Sequence, residues 1–497
     1  VASWMGGDEV AEGEAILNAA GIATNRYPDA AARLFHTLWR YGDNLRALYE
    51  TPALLPEADL GGATGELSPV AVASGLIDAA RAENRSLLSE WETKRILSAY
   101  GIPVVDTRLA TSADAAVAAA TAIGFPVVVK LNSSLITHKS DVGGVVVNLQ
   151  DAAAVRGAYE AMELAIRSAH GDAAFSGVTV QEMVPRQAGL ELIVGSSLDP
   201  QFGPVILFGA GGTLVEVFRD SAVALPPLNT TLARRLMEQT RIHRALQGVR
   251  GMGPADLEGL EQLLVRVSQL VLDHPAISAL DVNPLLVAAR GSARPLVALD
   301  ARILLVEGEG AICTAPRPAI RPYPAEYVRP WTLRDGSAVT IRPIRPEDEP
   351  LVVAFHRTLS EESVYLRYFH MMSLSARIAH ERLIRICFTD YAREMALVAD
   401  RHDPVTGEHM LLAVGRLSRL HGRNEAEFSM LVSDPHQHQG LGTELLRVLI
   451  EIGRDEGLER ITAEVLHENR AMQRVCEKLG FTLKPTPEVV QAWLDLA

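Results

Sequence analysis

The stretch "DPHQHQGLGTELL", residues 434–446, puts Gly440 and Gly442 where an alternating strand gives way to a periodic helix. Phe428, Met430 and Val432 share one face of the expected strand, and Leu441, Leu445, Val448, Leu449 and Ile452 repeat with helical spacing before Gly457. A helix start leaves its first backbone N–H groups unpaired at the positive end of the helix dipole, and glycine lets a phosphate approach that backbone. The available chemistry is the grip of a pyrophosphate; the plainer alternative is a tight turn. Neither the dinucleotide fingerprint nor the P-loop has this spacing. A second chemical stretch is "FPVVVKLNSSLITHKSDVGGVVVNL", residues 125–149, where Lys130 closes a β-branched strand and a loop bearing His138 leads to Gly143 and Gly144. A lysine beside a flexible loop suits a triphosphate; the plainer alternatives are a strand-edge charge and a surface histidine.

These groups need scaffolds. At 497 residues the chain exceeds one hydrophobic core, so two to four units are expected. With 48% hydrophobic and 22% charged residues, and no apolar run near the ~18 residues that cross a bilayer, it reads as soluble and not membrane-bound. Forty-seven Lys plus Arg against 61 Asp plus Glu, a net charge of −14, argues against nucleic acid as a partner. Cys313, Cys387 and Cys476 are odd in number and far apart, which suggests neither a disulfide framework nor a zinc knuckle and fits a reducing, cytoplasmic setting. The opening "VASWMGGDEV" lacks a signal-peptide pattern and reads as a strand end entering a Gly-Gly turn, so the chain is expected to be the C-terminal portion of a longer protein.

Residues 1–50 suggest strand, helix, strand, helix, with Val10, Ile16 and Leu17 on one helical face, Gly21 as a stop and Asp29 as a cap: the end of an open α/β domain. Residues 51–85 loosen into a linker, and 86–310 alternate helical and β-rich runs. The segment 311–330 is proline-rich and reads as a stiff tether, after which 331–497 form another domain, whose strands and helices over 331–485 end with "ERITAEVL" and a last helix. The expected fold class is α/β multi-domain.

In context, Gln437-x-x-Gly440-x-Gly442, the acidic strand before it and "ENRAMQRVCEKLGF" after it resemble the GNAT acetyltransferase family over roughly residues 331–485. That resemblance implies acetyl-CoA as cofactor, with Gln437, His438, Gly440, Leu441, Gly442 and Thr443 on its pyrophosphate, Val432 beside the pantetheine arm and Asn469 facing it. It also implies Glu427 as the base, with Glu425 as fallback. Such a base is needed because a lysine amine, with reference pKa about 10.4, is protonated at neutral pH. The family often carries a Tyr where this chain has Cys476, so the general acid is unassigned: a thiol of reference pKa about 8.5 can donate, a buried, inert Cys is the plainer reading, and water is the other donor.

The segments "FPVVVKL", "VQEMVPRQAGLELIVG", "DPQFGPVILFGAGGTLVEVFRD", "LDVNPL" and "VALDARI" resemble, in order, the ATP-grasp half of NDP-forming acyl-CoA synthetases over residues 86–308. The resemblance implies that ATP or ADP binds with Lys130 on phosphates, Glu182, Met183 and Val184 along the adenine, Glu191 near the ribose and Gly211–Gly212 as a cover. It implies Mg²⁺ on Asn283 and Asp300, hard oxygen ligands of the kind that ion takes, and His138 as a phosphoryl relay. Ala279 replaces a glutamate common in that family. Residues 1–50 resemble the end of the flavodoxin-like ligase domain of the same synthetases. Together with "LSEESVYLRYFH", residues 359–370, the layout resembles bacterial protein lysine acetyltransferases of the synthetase–GNAT fusion type. The implied partners are proteins bearing reactive lysines, such as acetyl-CoA synthetase, with room for a homo-oligomer. Two alternatives are a bifunctional synthetase with an appended acetyltransferase and a non-catalytic acetyl-CoA sensor.

Overall fold

A computed structural model describes residues 1–60, 68–133, 135–136, 139–185, 189–212, 219–249, 253–308, 316–403 and 406–496. Contacts divide the chain into two units, Pro52–Pro322 and, separately, Val1–Thr51 with Tyr323–Ala497. The protein is mixed α/β and multi-domain. No helix among the described residues is long and apolar enough to cross a membrane.

At the start, Ala2–Ser3 (β1) and Thr24–Asn25 (β2) pair in parallel around the helix Ala11–Ala19, and the helix Pro28–Leu48 follows. Asp29 is not the cap expected for that helix. Tyr27 holds the N-cap position, Pro28 begins the helix, and Asp29 pairs with Arg33 at 2.8 Å. Proline there needs no N–H partner and presets φ, so the helix starts without a side-chain cap. Ile16, expected on a shared apolar face, is 65% exposed, and Ala31 alone is buried among residues 1–51.

In Pro52–Pro322 the strands Thr107–Ala110 (β3), Val127–Leu131 (β4), Val145–Leu149 (β5) and Val178–Glu182 (β6) form an antiparallel sheet in the order β3-β6-β4-β5. Val127, Val129, Leu131, Val178 and Val180 face the helices Ala113–Ile123 and Ala152–His170, a core made by period-two alternation meeting two amphipathic helices. A second sheet joins Leu190–Asp199 (β7), Gly203–Ala210 (β8), Ser221–Ala224 (β9), Ile277–Val287 (β10), Leu296–Ala298 (β11) and Ala301–Leu305 (β12). It packs with the helix Leu257–Asp273, ten of whose residues are buried, while the helix Glu90–Ala99 opens on a capping box between Ser89 and Glu92.

In the other unit Arg329–Thr332 (β13), Ala338–Pro343 (β14), Glu394–His402 (β15), His409–Arg419 (β16), Glu425–Val432 (β17), Arg460–Val465 (β18), Thr482–Pro485 (β19) and Val490–Asp495 (β20) make one sheet. Its order is β13-β14-β15-β16-β17-β18-β20-β19. Neighbours are antiparallel except β17 and β18, which run parallel. The helix Leu441–Asp455 packs Leu441, Leu445, Val448, Leu449 and Ile452 on one face. The helices Glu349–Arg357, Glu361–Tyr368 and His380–Cys387 cover the other, against Ala396, Val398 and Leu431.

One expectation changes here. The tether was read as ending at 330, yet Tyr323 and Tyr327 are already buried and β13 begins at Arg329, because tyrosines spaced between prolines pack on the sheet edge. The last helix expected after "ERITAEVL" is Arg470–Lys478, and the β19–β20 hairpin follows it, with β20 inserted beside β18.

Candidate functional site

β17 and β18 pair only at Glu425↔Arg460, Ala426↔Ile461 and Glu427↔Thr462. Beyond Glu427 the two strands part, and among the described residues the backbone of β17 from Phe428 to Val432 has no partner strand on that side. A ligand with amide groups can pair with such an edge. At the mouth of the fork, Gly440 occupies the N-cap position of the Leu441–Asp455 helix with φ of 92°, a left-handed conformation glycine adopts freely. His438 in the same turn also has positive φ, at 61°, and its carbonyl accepts a bond from Arg334 at 3.2 Å. The N–H groups of Leu441, Gly442 and Thr443 have no carbonyl one turn earlier. They border a cavity of about 710 Å³, lined also by Val432, Gln437, His438, Gly440 and Asn469 and by Arg367, Arg470 and Arg474.

The structure thus brings all eight sequence-derived CoA residues to one cavity, but gives two of them structural bonds. The Gln437 side-chain amide donates to Ser363 Oγ at 3.0 Å, Asp434 Oδ1 at 3.1 Å and the Val432 carbonyl at 3.3 Å, so it braces the turn. Asp434 in turn accepts from Ser360 N and Ser363 Oγ. Desolvation alone would raise its carboxyl, and these two bonds outweigh that and hold it below the ordinary value. Asn469 caps the helix Arg470–Lys478, its Oδ1 accepting from Met472 N at 3.0 Å. Asn469→Ala should therefore cost about 1 kcal/mol of stability, read as a lower Tm, and Asn469→Asp should recover it. A loss of acetyl-CoA binding common to both variants would instead put the amide itself on the ligand.

Glu427 lies on the sheet face opposite the Leu441–Asp455 helix, in a row with Ser418 and Glu394. It is exposed, at the base of the fork. Glu425 is partly buried, with Arg423 at 4.0 Å. Cys476 is buried and absent from the lining of the cavity; burial raises its thiol to about 12, which suits packing and not proton delivery. The sequence reading missed Arg367, Ser363, Arg470 and Arg474. The first two sit in the "LSEESVYLRYFH" segment, whose resemblance was the available signal.

In Pro52–Pro322, Lys130 donates to Glu90 Oε1 at 2.8 Å. Lys94 and Lys139 reach the same carboxylate at 2.9 Å each. Burial alone would raise Glu90; the three ammonium groups outweigh it and hold it well below the usual carboxylate range. Lys94, itself buried, is lowered to about 8 by desolvation, with Glu90 opposing. Gly211 N donates to the Glu191 carbonyl at 2.8 Å, Gly212 N to Asn283 Oδ1 at 3.3 Å, and Asn283 N to the Asp300 carbonyl at 3.2 Å. These bonds join the expected nucleotide cover, ribose and metal residues into one neighbourhood, with Asp300 Oδ1 3.8 Å from Lys130 Nζ. Met183 N donates to the Pro126 carbonyl at 3.1 Å, Val184 packs beside Leu286 and Val297, and Glu182 is paired with Arg294. His138 lies outside the described residues. Among the described residues no group of three or more His, Cys, Asp or Glu could hold a metal; Asn283 and Asp300 offer an amide and a carboxylate oxygen.

Residues 79–305 match the ATP-grasp domain family, and residues 338–482 match the acetyltransferase (GNAT) domain family. Over 236 residues the chain is 39% identical to the acetate–CoA ligase [ADP-forming] I subunit beta of Pyrococcus furiosus, covering 48% of this chain and 99% of that subunit. The chain belongs, through its ATP-grasp domain, to the family of these ADP-forming acetate–CoA ligases, and it carries a GNAT domain as well. It is 36% identical over 303 residues to the 4-hydroxybutyrate–CoA ligase [ADP-forming] of Nitrosopumilus maritimus, covering 61% of this chain but only 41% of that relative's length. The solved GNAT domain of S. lividans PAT aligns at 30% identity and a TM-score of 0.32, covering 35% of this chain and 99% of that one.

Proposed function

We propose that the chain transfers an acetyl group from acetyl-CoA to a lysine amine of target proteins, with acetyl-CoA synthetase as one such target. The observation that carries this reading is the fork between β17 and β18, closed at its mouth by the Gly440 turn, inside a GNAT domain. In it, free N–H groups of the Leu441–Asp455 helix hold the pyrophosphate, with Arg470 and Arg474 on the same cavity, and the β17 edge pairs with the pantetheine amides. Glu427, at the base of the fork, takes a proton from the incoming ammonium through water. The amine nitrogen then bonds to the thioester carbon and gives up a second proton to solvent, the carbon–sulfur bond breaks, and the CoA thiolate takes its proton from solvent.

The ATP-grasp domain, in the same reading, binds nucleotide or acyl-CoA and regulates transfer. Lys130 would meet phosphates on leaving Glu90, and Asn283 and Asp300, oxygen donors joined through the backbone, would hold Mg²⁺. That ion would supply neutralisation of the phosphate charge.

Incubating the chain with labelled acetyl-CoA and a cell extract, then mapping the label by mass spectrometry, tests the transfer. Label on lysines of extract proteins is expected, and label on small amines alone sinks the protein-lysine reading. Self-labelling leaves little background, since the chain has five lysines and three of them gather on Glu90. The bifunctional alternative is favoured by the 39% identity that spans 99% of a ligase β subunit. It requires nucleotide-dependent phosphorylation that His138→Ala abolishes.

A further inference from the structure

Glu427's face of the sheet holds a second cavity, of about 580 Å³, roofed by helices of the 361–387 region. It is lined by Arg367, Arg382, Arg385 and Arg416, with Glu381 and Glu394. Ser418 and Ser429 form its floor, and Ser418 is the direct cross-strand partner of Glu427. Arg367 lines the CoA-side cavity too, so the two spaces meet at its side chain.

The charges in this cavity do not balance. Arg416 is matched by Glu394, and it also donates to the Ile386 carbonyl at 2.5 Å. For Arg367, Arg382 and Arg385 no carboxylate lies within ion-pair distance among the described residues. Arg367 and Arg382 instead stack on the Tyr368 ring, with centroid distances of 5.0 and 4.8 Å. The Arg382 Nε is buried without a hydrogen-bond partner. Desolvation of half-buried Arg367, with Arg416 and Arg382 close by, outweighs the opposing influence of Tyr368 and the Glu427 carboxylate and lowers its pKa from the ordinary guanidinium value; a further anion relieves that strain. Guanidinium groups held on an aromatic ring are preorganised for the planar, paired contacts of a carboxylate.

We propose that this cavity is the acceptor subsite, and that it selects a primary amine carried close to a carboxylate, the carboxylate bonding Arg382, Arg385 and Arg367 while the amine lies towards Glu427. The inference rests on the transfer reading above. Two sources share the chemistry: an acidic side chain next to the target lysine on a protein, and the terminal carboxylate of a C-terminal lysine.

The test uses the full chain and two matched peptide pairs. One pair has a central lysine flanked by glutamates or by glutamines; the other ends in a lysine free acid or a lysine amide. Binding of each peptide is measured by calorimetry in the presence of CoA, and kcat/KM with acetyl-CoA. At least one pair should favour its carboxylate member by about tenfold or more in both measurements, and the pair that does so names the source. In Arg382→Glu that ratio should fall to about one or invert towards a lysine-flanked peptide, a change of preference that a merely structural role would not produce. Equal binding within both pairs, or a preference that survives Arg382→Glu, overturns the subsite. Absence of transfer to every peptide alongside a preserved tenfold binding ratio would sink the transfer reading and leave the subsite standing.

Discussion

Gly440→Val should weaken acetyl-CoA binding by roughly tenfold to a hundredfold while leaving ADP binding unchanged. Gly440 holds φ at 92°, and an L side chain there pays about 1–2 kcal/mol, more for a β-branched one, with 1.4 kcal/mol per tenfold. The turn can relax away from that φ only by moving the first N–H groups of the Leu441–Asp455 helix, which are the proposed phosphate ligands. A Cβ at Gly440 would meet Trp331 and Arg334 at 3.7 Å, ordinary contact, so the cost lies in the backbone conformation and not in the space. Gly442 differs: its φ is not left-handed, and a Cβ would meet Met430 and Val432 at 3.5 and 3.6 Å, ordinary contact. Gly442→Ala should accordingly be milder than Gly440→Val. Calorimetric titration of acetyl-CoA and, separately, ADP into the full chain reads both ligands. Lys130 and its neighbours belong to the other unit, so a parallel loss of ADP binding would mean global damage, and an unchanged acetyl-CoA affinity would remove the phosphate from the turn.

The parts of this site that are local in sequence could be read without coordinates. Phe428, Met430 and Val432 alternate, Leu441 to Ile452 repeat with helical period, and a glycine between two such patterns marks a strand-to-helix turn. What depends on distant residues could not. The fork exists because β18 pairs with β17 for three residues while its opposite edge pairs with β20 along its whole length, an insertion that nothing local in "VQAWLD" signals. Gln437 was assigned to phosphate by its place in a motif, yet a side-chain amide takes whichever acceptors lie nearest, and Ser363 comes 74 residues earlier. The same applies to Lys130. Its strand was legible, but Glu90, 40 residues upstream at the start of a helix, is a partner that only tertiary folding supplies. The acceptor-side arginines combine two helices and a strand, with no shared period.

Glu427→Gln should lower kcat by about 10²- to 10⁴-fold, the range for loss of a positioned general base, with acetyl-CoA affinity unchanged. The separation follows from geometry. Glu427 lies at the last paired position of β17 and β18 and on the face opposite the Leu441–Asp455 helix, so its carboxylate contributes nothing to the pyrophosphate grip. Glutamine keeps the size and removes the proton acceptor. The remaining activity should climb with pH more steeply than in the parent, because a lysine amine of reference pKa about 10.4 gains roughly tenfold in its neutral fraction for each pH unit below that value. A surface carboxylate whose role was only to attract the substrate's charge would show the opposite division, a raised KM with kcat retained and strong relief by salt. If kcat stays within about twofold, the base is elsewhere, and Glu425, two residues along the same strand and on the same face, is next to be changed.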